Sequence, residues 1–324
     1  MKRTLTINKQ RGKNMKRFLV ILILPLLFLI EACTPSNPFL RPKEDWRLLE
    51  KHSLDTVKSY AQYYGPCCQP GITDSLDLYD LNIIGWMDQS EYMPKNITLQ
   101  YLAVMEASEA HRTYHGWLKN IDITWKLFNN PYYAGTWIMD ICDTNWQNFV
   151  LDVGIPWTMS RGGEGLLLDT FGDIELFLGN WEKYLEAGVQ MIKKIHQRYP
   201  NLILVINEPG KLIYQVADQV DGIVLEQFMF NINTGEQFNT PRQICAGGTP
   251  EFNHLLIFWQ SLPTTRKFKI FTMDMVQGDN PVLAQVSITM AKQYGLIPSI
   301  TPMSGLGNRY HKLPTTILRQ VQSQ

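Results

Sequence analysis

Two short stretches decide the fold class: GLLLD at residues 165–169 and DGIVLE at residues 221–226. Each is a run of apolar residues that ends in a carboxylate, Asp169 in the first and Glu226 in the second. Neither run alternates apolar with polar residues, which is typical of strands that are buried on both faces, as in a parallel sheet covered by helices. The two stretches therefore predict an α/β protein with acidic residues at the carboxyl ends of its strands.

Further apolar runs of the same kind occur along the chain, at residues 59–64, 78–85, 98–105, 202–206, 268–273 and 297–300. Helical patterns lie between them. One apolar stripe recurs every three or four residues from Trp181 and stops at Pro200, and a second helix is expected to begin at Asn280 and Pro281 and to end at Gly295. Eight strands that alternate with helices predict a (β/α)₈ TIM barrel. A doubly wound sheet is the alternative, but no glycine-rich phosphate loop follows the first strand.

The amino-terminal segment has the pattern of a secretory signal. Lys16 and Arg17 precede an apolar run at residues 18–30, which is shorter than the roughly 20 residues that span a bilayer. The sequence LLFLIEAC (26–33) resembles a bacterial lipobox, in which Cys33 becomes the lipidated first residue, although Glu31 departs from that motif. We expect a signal peptide at 1–32, a tether and leading segment at 33–56, and a single domain at 57–324. An ordinary signal peptide without lipidation is the alternative.

These segments predict a protein of the bacterial cell envelope, held to the membrane through lipid on Cys33 and exposed in the periplasm or at the cell surface. Lys and Arg number 30 and Asp and Glu number 30, so no charge excess favours nucleic acid. Neither a phosphate-binding loop nor a G-x-S-x-G motif is present, and the cysteines do not have the spacing of metal ligands. His111 and His115 lack the H-E-x-x-H context of zinc ligands. We expect no cofactor and no metal.

Acidic residues near strand ends are the chemical signal of this chain. Asp169 and Glu226 each close an apolar run, and further polar candidates for substrate binding lie in or next to other runs: Asp80, Glu106, Asp140, Asn207 and Asp274. Hydrolysis of a glycosidic bond needs two carboxyl groups, one to attack or stabilise the sugar and one to protonate the leaving oxygen. A single strand-end acid is more often a helix cap or an ion-pair partner. Asp169 and Glu226 together favour catalysis on a polysaccharide or oligosaccharide.

A long insertion separates the third and fourth strands at residues 106–164. It is rich in aromatic side chains: Trp117, Trp125, Tyr132, Tyr133, Trp137, Trp146 and Trp157. Long connections in a compact domain are usually functional, and this one leaves from the end of the barrel where active sites lie. We expect it to form one wall of a sugar-binding cleft, with Trp137 in that wall. Packing in the core is the alternative for any one of these aromatic residues.

Four segments together resemble glycoside hydrolase family 114, which is related to endo-α-1,4-polygalactosaminidases. They are YLAVMEASEAHR (101–112), TWIMDI (136–141), GGEGLLLDTFGD (162–173) and VDGIVLEQFMF (220–230). The resemblance covers residues 58–305 and implies a (β/α)₈ barrel that hydrolyses α-linked galactosamine-type polymers with retention. It implies that Asp169 is the nucleophile and Glu226 the acid/base. It also implies that Glu106 helps to hold the sugar and that Asp140, after Trp137, lines the cleft.

The chain departs from the family pattern at several positions. Met105 stands where a glycine usually precedes the acid, and it is expected to place a bulky side chain beside the sugar. Gly163 and Glu164 replace an aromatic residue and an aspartate, and residues 207–210 form a variant of the usual Asn-Gly turn. The alternative function is therefore a non-catalytic glycan-binding surface lipoprotein. The two functions differ in whether Asp169 and Glu226 lie at catalytic separation, about 5–5.5 Å for a retaining pair.

Overall fold

A computed structural model describes residues 50–63, 76–85, 95–108, 116–177, 179–231, 237–238, 241, 252–277 and 280–303. All of these belong to one compact unit, Arg41–Gln324. The predicted signal peptide, Cys33 and the two histidines His111 and His115 lie outside the described residues. Within the described ranges, none of the helices is both long enough and apolar enough to cross a membrane.

Eight parallel strands form one sheet, paired in chain order. They are β1 (Tyr60–Tyr63), β2 (Leu81–Ile84), β3 (Ile97–Ala103), β7 (Gly165–Asp169), β8 (Ile203–Asn207), β9 (Gly222–Glu226), β10 (Lys269–Gln277) and β11 (Ile297–Met303). The first and last strands lie next to each other, so the sheet curls into a barrel. Each of the eight apolar runs overlaps one of these strands, and the predicted (β/α)₈ barrel is confirmed.

The insertion after β3 carries a sheet of its own, which the sequence patterns did not predict. Its strands are β4 (Glu106–Ser108), β5 (Lys126–Asn129) and β6 (Thr136–Met139), paired antiparallel with β6 in the centre. Two 3₁₀ turns (Gly116–Asn120 and Ile123–Trp125) connect β4 to β5 within the described part. A helical segment then leads back to the barrel: α1 (Thr144–Phe149), a π-helical turn (Val150–Gly154) and α2 (Ile155–Met159).

Helices surround the later barrel strands as expected for this fold. They are α3 (Trp181–Arg198), α4 (Ile213–Val216), α5 (Phe252–Ser261) and α6 (Pro281–Gln293), with 3₁₀ turns at Phe171–Leu176, Gly210–Leu212 and Thr264–Arg266. The predicted stripe from Trp181 forms α3. The predicted start of α6 is also correct, because the Asn280 side chain accepts hydrogen bonds from the backbone of Val282 at 3.1 Å and Leu283 at 3.3 Å.

Side chains of the barrel strands alternate between two cores. Leu167, Val205 and Val224 belong to the cluster inside the barrel, together with Phe271 and Met273. Residues of the opposite parity, such as Leu166, Leu204 and Ile223, pack in the larger cluster with the helices and the insertion. Since side chains along a strand repeat with a period of two, a residue two positions after Leu167, Val205 or Val224 points to the inside at the mouth of the barrel.

Two of the five tryptophans of the insertion, Trp117 and Trp146, are buried in the core, and the other three are half-buried against it. Trp146 is fully buried, and its ring lies 6.0 Å from that of Trp117 and 6.0 Å from that of Trp125, with Phe149 completing the group. Aromatic pairs at these separations add stability beyond their buried area. The group anchors the insertion to the barrel wall, which leaves only the tips of the small sheet to face the barrel mouth.

Candidate active site

Three neighbouring strands deliver polar side chains to the mouth of the barrel. Asp169 ends β7, Asn207 ends β8 and Glu226 ends β9. The Asn207 side-chain nitrogen donates to Asp169 Oδ1 at 2.9 Å and to Glu226 Oε1 at 3.0 Å. The two oxygens bound to this nitrogen are less than about 6 Å apart, so the two carboxyl groups are close neighbours, as a catalytic pair of carboxyl groups must be. The structure therefore brings the two predicted acids together and inserts Asn207 between them.

Each of these three residues is followed by a residue in the left-handed region. Thr170 has φ 74°, Glu208 has φ 43° and Gln227 has φ 54°. Non-glycine residues seldom adopt such angles, each costs on the order of 1 kcal/mol or more, and they cluster at functional sites. Three in succession at adjacent strand ends mark the carboxyl end of β7, β8 and β9 as the functional end of the barrel.

The second oxygen of Asp169 is held by a tyrosine on the next strand. Tyr101 in β3 donates its hydroxyl to Asp169 Oδ2 at 2.7 Å. Asp169 thus receives one hydrogen bond on each oxygen, from Tyr101 and from Asn207. Two donors fix the plane of the carboxylate, which is what a nucleophile with a defined direction of attack needs.

Glu106 and Asp173 form a second, buried carboxyl pair beside Asp169. Burial raises the pKa of Glu106 to about 7, and the charge of Asp169 adds to this effect. Burial, followed by the charge of Glu106 and a hydrogen bond to it, raises the pKa of Asp173 to about 9. Asp173 Oδ2 is buried and receives no hydrogen bond from an N–H or hydroxyl donor. The pair therefore keeps its protons to higher pH than exposed carboxyl groups do.

The turn between β5 and β6 closes the site from above. Asn130 donates its side-chain nitrogen to Glu106 Oε1, and its side-chain oxygen accepts from the backbone of Tyr132 at 2.8 Å and Tyr133 at 3.3 Å. Partial burial raises the pKa of Tyr133, and the charges of Glu226, Glu106, Asp169 and Asp173 raise it further. The side chain of Tyr133 is 65% exposed and belongs to the same turn as Asn130.

Two of the predicted substrate-binding acids lie elsewhere. Asp274 sits on β10 with the parity that points out of the barrel, where it accepts backbone hydrogen bonds from Met229 at 2.8 Å and Phe230 at 3.0 Å and the hydroxyl of Ser287 in α6. Burial raises its pKa to about 6. Asp80 precedes β2 at the amino-terminal end of the barrel and binds the backbone of Ser59 at 3.0 Å. Both acids hold backbone segments in place, away from Asp169 and Glu226.

Trp137 and Asp140 both lie in the insertion, and the pairing of the small sheet shows that Trp137 does not share the face of Glu106. In the small sheet Glu106 pairs with Ile138, whereas Trp137 pairs with Ala107. Opposed residues point to the same face, so Trp137 lies on the face opposite Glu106. Asp140 follows β6 and its Oδ1 accepts from the backbone of Cys142 at 2.9 Å. The contact of Asp140 with sugar stays a prediction, and that of Trp137 is a prediction that this geometry does not favour.

The departures from the family pattern have structural explanations. Met105 has no exposed surface and packs in the core between barrel and insertion, so the expectation that its side chain crowds the sugar is wrong. Gly163 has φ 105°, and a Cβ there would lie 2.7 Å from the backbone oxygen of Thr98. Glu164 is buried and accepts the backbone N–H of Thr98 at 2.8 Å. Gly163 and Glu164 join the starts of β3 and β7, at the end of the barrel opposite the acids.

Sequence reasoning overlooked four residues of this site: Tyr101, Asn130, Tyr133 and Asp173. Asp173 had a visible signal, since it lies four residues after Asp169 in the same motif. Tyr101 also had one, because it shares the inward parity of Leu99 on β3. Asn130 and Tyr133 reach the site only through the pairing of β5 with β6. Among the residues that the structure describes, no group of three or more acidic, histidine or cysteine side chains is arranged to hold a metal ion.

Comparison with known proteins supports the fold. No protein-family model and no curated protein sequence matches this chain. The fold is shared with known glycoside hydrolase barrels. The glycoside hydrolase domain of PelA from Pseudomonas aeruginosa superimposes with a TM-score of 0.57 at 16% identity, covering 79% of this chain and 100% of that domain. Ega3 from Aspergillus fumigatus, solved with galactosamine, gives 0.54 at 10% identity, covering 82% of this chain and 97% of that one.

The Glu106–Asp173 pair predicts how stability depends on pH. Unfolded carboxyl groups titrate near pH 4, whereas the folded pair holds its protons up to the pKa values of about 7 and about 9. The unfolded chain therefore loses protons first as pH rises above about 4, and stability falls by about 1.4 kcal/mol per pH unit for each proton that the folded pair retains. We expect Asp173→Asn, which is neutral throughout, to be more stable than the parent at pH 8 and not at pH 4.

Urea unfolding at pH 4, 6 and 8 measures this difference. Asp218→Asn, at an exposed position outside the site, makes the same chemical change and is expected to leave the pH dependence unchanged. If the stability of the parent rises from pH 6 to pH 8 as much as that of Asp173→Asn, the raised pKa values of the pair are contradicted.

Proposed function

We propose that this chain is a retaining glycoside hydrolase that acts on an α-linked galactosamine-type or related amino-sugar polysaccharide. The observation that carries the proposal is the hydrogen bonding of Asn207 to both Asp169 and Glu226, which holds the two carboxyl groups close together and is consistent with a retaining pair. The resemblance of the strand-end motifs to glycoside hydrolase family 114 supports the same assignment. The two fold neighbours, one a glycoside hydrolase domain and one solved with galactosamine, are consistent with it.

In the first step Asp169 attacks the anomeric carbon while the bond from this carbon to the leaving oxygen breaks. Glu226 donates its proton to that oxygen, so the leaving sugar departs as an alcohol. Tyr101 and Asn207 keep the plane of the Asp169 carboxylate fixed during the attack. The product of this step is a glycosyl ester on Asp169.

In the second step water attacks the same carbon from the side that the leaving group vacated. Glu226, now a carboxylate, accepts a proton from this water, and the bond to Asp169 breaks. Both carboxyl groups return to their starting protonation states. Two inversions at one carbon give a product with the anomeric configuration of the substrate.

The charge of the site supports an amino sugar as substrate. Asp169 and Glu226 lie side by side at the mouth of the barrel, and burial, followed by the charge of nearby Asp169, raises the pKa of Glu106. A protonated amine on the sugar is attracted to such a group of acids, and the attraction is stronger in a partly buried cleft than in water. We propose that Glu106 binds this amine, because an adjacent cation favours the charged form of a carboxyl group.

A product assay tests the proposed function. The purified protein is incubated with α-1,4-linked galactosamine polymers that differ in acetylation, and NMR follows the anomeric signal of the new reducing ends. We expect cleavage of the polymer with free amines, with the α configuration formed first. A protein that binds these polymers without cleaving any of them is instead the glycan-binding protein of the alternative hypothesis.

We also propose that the protein is anchored in the bacterial cell envelope through lipid on Cys33. The support is the sequence alone: a basic start, an apolar run and the cysteine that follows it. Mass spectrometry of membrane-extracted protein is expected to show two or three acyl chains on an amino-terminal Cys33, because one chain gives only marginal anchoring. Cys33→Ala is the matched control and is expected to release the protein in soluble form. A mature protein that begins at another residue contradicts the anchor.

A further inference from the structure

We propose that Thr170 is a positioning residue that holds the Glu106–Asp173 carboxyl pair against Asp169. The inference rests on the proposed function, since it concerns the geometry of the same site. Thr170 directly follows Asp169 at the end of β7, and it touches the chain on either side of the second carboxyl pair. No part of the catalytic assignment above uses it.

The hydroxyl of Thr170 uses its full bonding capacity on the backbone around the site. It accepts the N–H of Val104 at 3.2 Å and that of Met105 at 2.8 Å, and it donates to the carbonyl of Asp169 at 2.6 Å. A hydroxyl offers one donor and two acceptor sites, and all three are occupied. The residues Val104 and Met105 form the bend between β3 and β4, so this one oxygen ties the bend to the end of β7.

The two carbonyl groups of this bend are also hydrogen-bonded. The carbonyl of Val104 accepts the indole N–H of Trp146 at 3.0 Å, and the carbonyl of Met105 accepts the backbone N–H of Met139 at 2.8 Å. Val104 and Met105 have no exposed surface, so water does not replace any of these bonds. The N–H of Val104 also donates to the carbonyl of Asp169 at 3.0 Å, whereas the N–H of Met105 is bonded to the Thr170 hydroxyl at 2.8 Å. The position of Glu106, the next residue, is therefore set by a bend in which the N–H of Met105 depends on Thr170.

The other member of the pair is tied to the same residue. The backbone N–H of Asp173 donates to the carbonyl of Thr170 at 3.1 Å, which starts the 3₁₀ turn on which Asp173 lies. This arrangement requires Thr170 to adopt φ 74°, an angle at which a β-branched residue is a genuine outlier. Strain kept at a position that also binds three backbone segments points to a role in geometry beyond local folding.

Three substitutions of Thr170 test separately the effects of its hydroxyl group, its side-chain shape and its backbone angle. Thr170→Val keeps the shape and removes the hydroxyl, and Thr170→Ser keeps the hydroxyl and removes the methyl group. Thr170→Gly also lacks the hydroxyl but accepts positive φ without strain, so it folds even where valine does not. The measurements are kcat and KM on the polymer that the parent cleaves, and amide hydrogen exchange at Val104 and Met105.

We expect Thr170→Val and Thr170→Gly to lose about 10- to 100-fold in kcat, because displacement of catalytic groups by about 1 Å has effects of this size. Faster exchange at Met105 should accompany the loss, and Thr170→Ser should retain most of the parent kcat. Parent-like kcat in a folded Thr170→Val or Thr170→Gly overturns the proposal, as does equal loss in Thr170→Ser. If the parent protein cleaves no polymer, the proposed function is wrong. Slow amide exchange at Met105 in that protein would then show that the Thr170 contacts form but serve no catalytic geometry.

Discussion

Asp169→Asn is expected to lower kcat by about 1,000-fold or more, which corresponds to about 4 kcal/mol of lost transition-state stabilisation. Asparagine has no negative charge to attack the anomeric carbon, so the glycosyl ester does not form. The substitution leaves Glu226, Asn207 and Tyr101 in place. Substrate binding should therefore survive while turnover disappears.

The hydrogen bonds of Asp169 explain why this variant should fold normally. The Asn207 nitrogen donates to Oδ1, a position that an asparagine oxygen can fill. Tyr101 donates to Oδ2, and its hydroxyl can instead accept from the asparagine nitrogen, since a phenol both donates and accepts. Thermal unfolding of Asp169→Asn should therefore match that of the parent within about 1 kcal/mol.

A second readout is independent of activity. Burial is the main cause of the raised pKa of Glu106, and the negative charge of Asp169 adds to it. Asp169→Asn removes that charge, so the pKa of Glu106 should fall, which carbon NMR of the labelled carboxyl group measures. Asp80→Asn is the matched control, with the same chemical change at the opposite end of the barrel. If Asp169→Asn turns over polymer as fast as this control, Asp169 is not the nucleophile.

The barrel was predictable because its strands are buried on both faces. Continuous apolar runs such as GLLLD are visible without any knowledge of neighbours, and the run at residues 165–169 forms β7 without change. The start of α6 was also predictable, because it depends only on neighbouring residues: Asn280 caps the helix and Pro281 is its first residue. The small sheet β4–β6 was not visible. Its strands have three or four residues each, and their pairing depends on contacts between distant segments.

The site residues were predictable where a residue both ends a strand and faces the inside of the barrel. Asp169 and Glu226 both lie two residues after a residue that faces the inside of the barrel, Leu167 in β7 and Val224 in β9. Asp274 follows the inward-facing Met273 by one residue, so the same rule places it outside, against α6. The alternation of inward-facing and outward-facing side chains along β10 is therefore sufficient to exclude Asp274 from the cleft.

The environment of the acids was not predictable in the same way. Asn130 and Tyr133 come from a turn whose position follows from the pairing of β5 with β6, and Glu106 faces the acids because it pairs with Ile138 rather than with Trp137. A shift of one residue in this pairing would reverse the faces. The apolar pattern of β5 and β6 does not fix that register, because both strands are only partly buried.

Glu226→Gln is expected to separate substrates by their leaving groups. A sugar leaving group needs a proton as the bond breaks, so loss of the acid should slow polymer cleavage by about 1,000-fold, within the range that general acid catalysis supplies. A fluoride or dinitrophenolate leaves without protonation, so formation of the glycosyl ester from such a substrate should slow by less than about 10-fold. Glutamine retains the oxygen that accepts from Asn207, so the geometry of the pair is kept.

The second step gives the same variant a further signature. Glutamine cannot accept a proton from water, so the glycosyl ester on Asp169 should accumulate, and an activated substrate should show a burst followed by slow turnover. Azide needs no base, so it should restore turnover and form a glycosyl azide with the anomeric configuration of the substrate. If Glu226→Gln cleaves both substrate classes as fast as the parent does, Glu226 is not the acid/base. A glycosyl azide of inverted configuration excludes the ester on Asp169, because a single displacement by azide would then have occurred on the substrate itself.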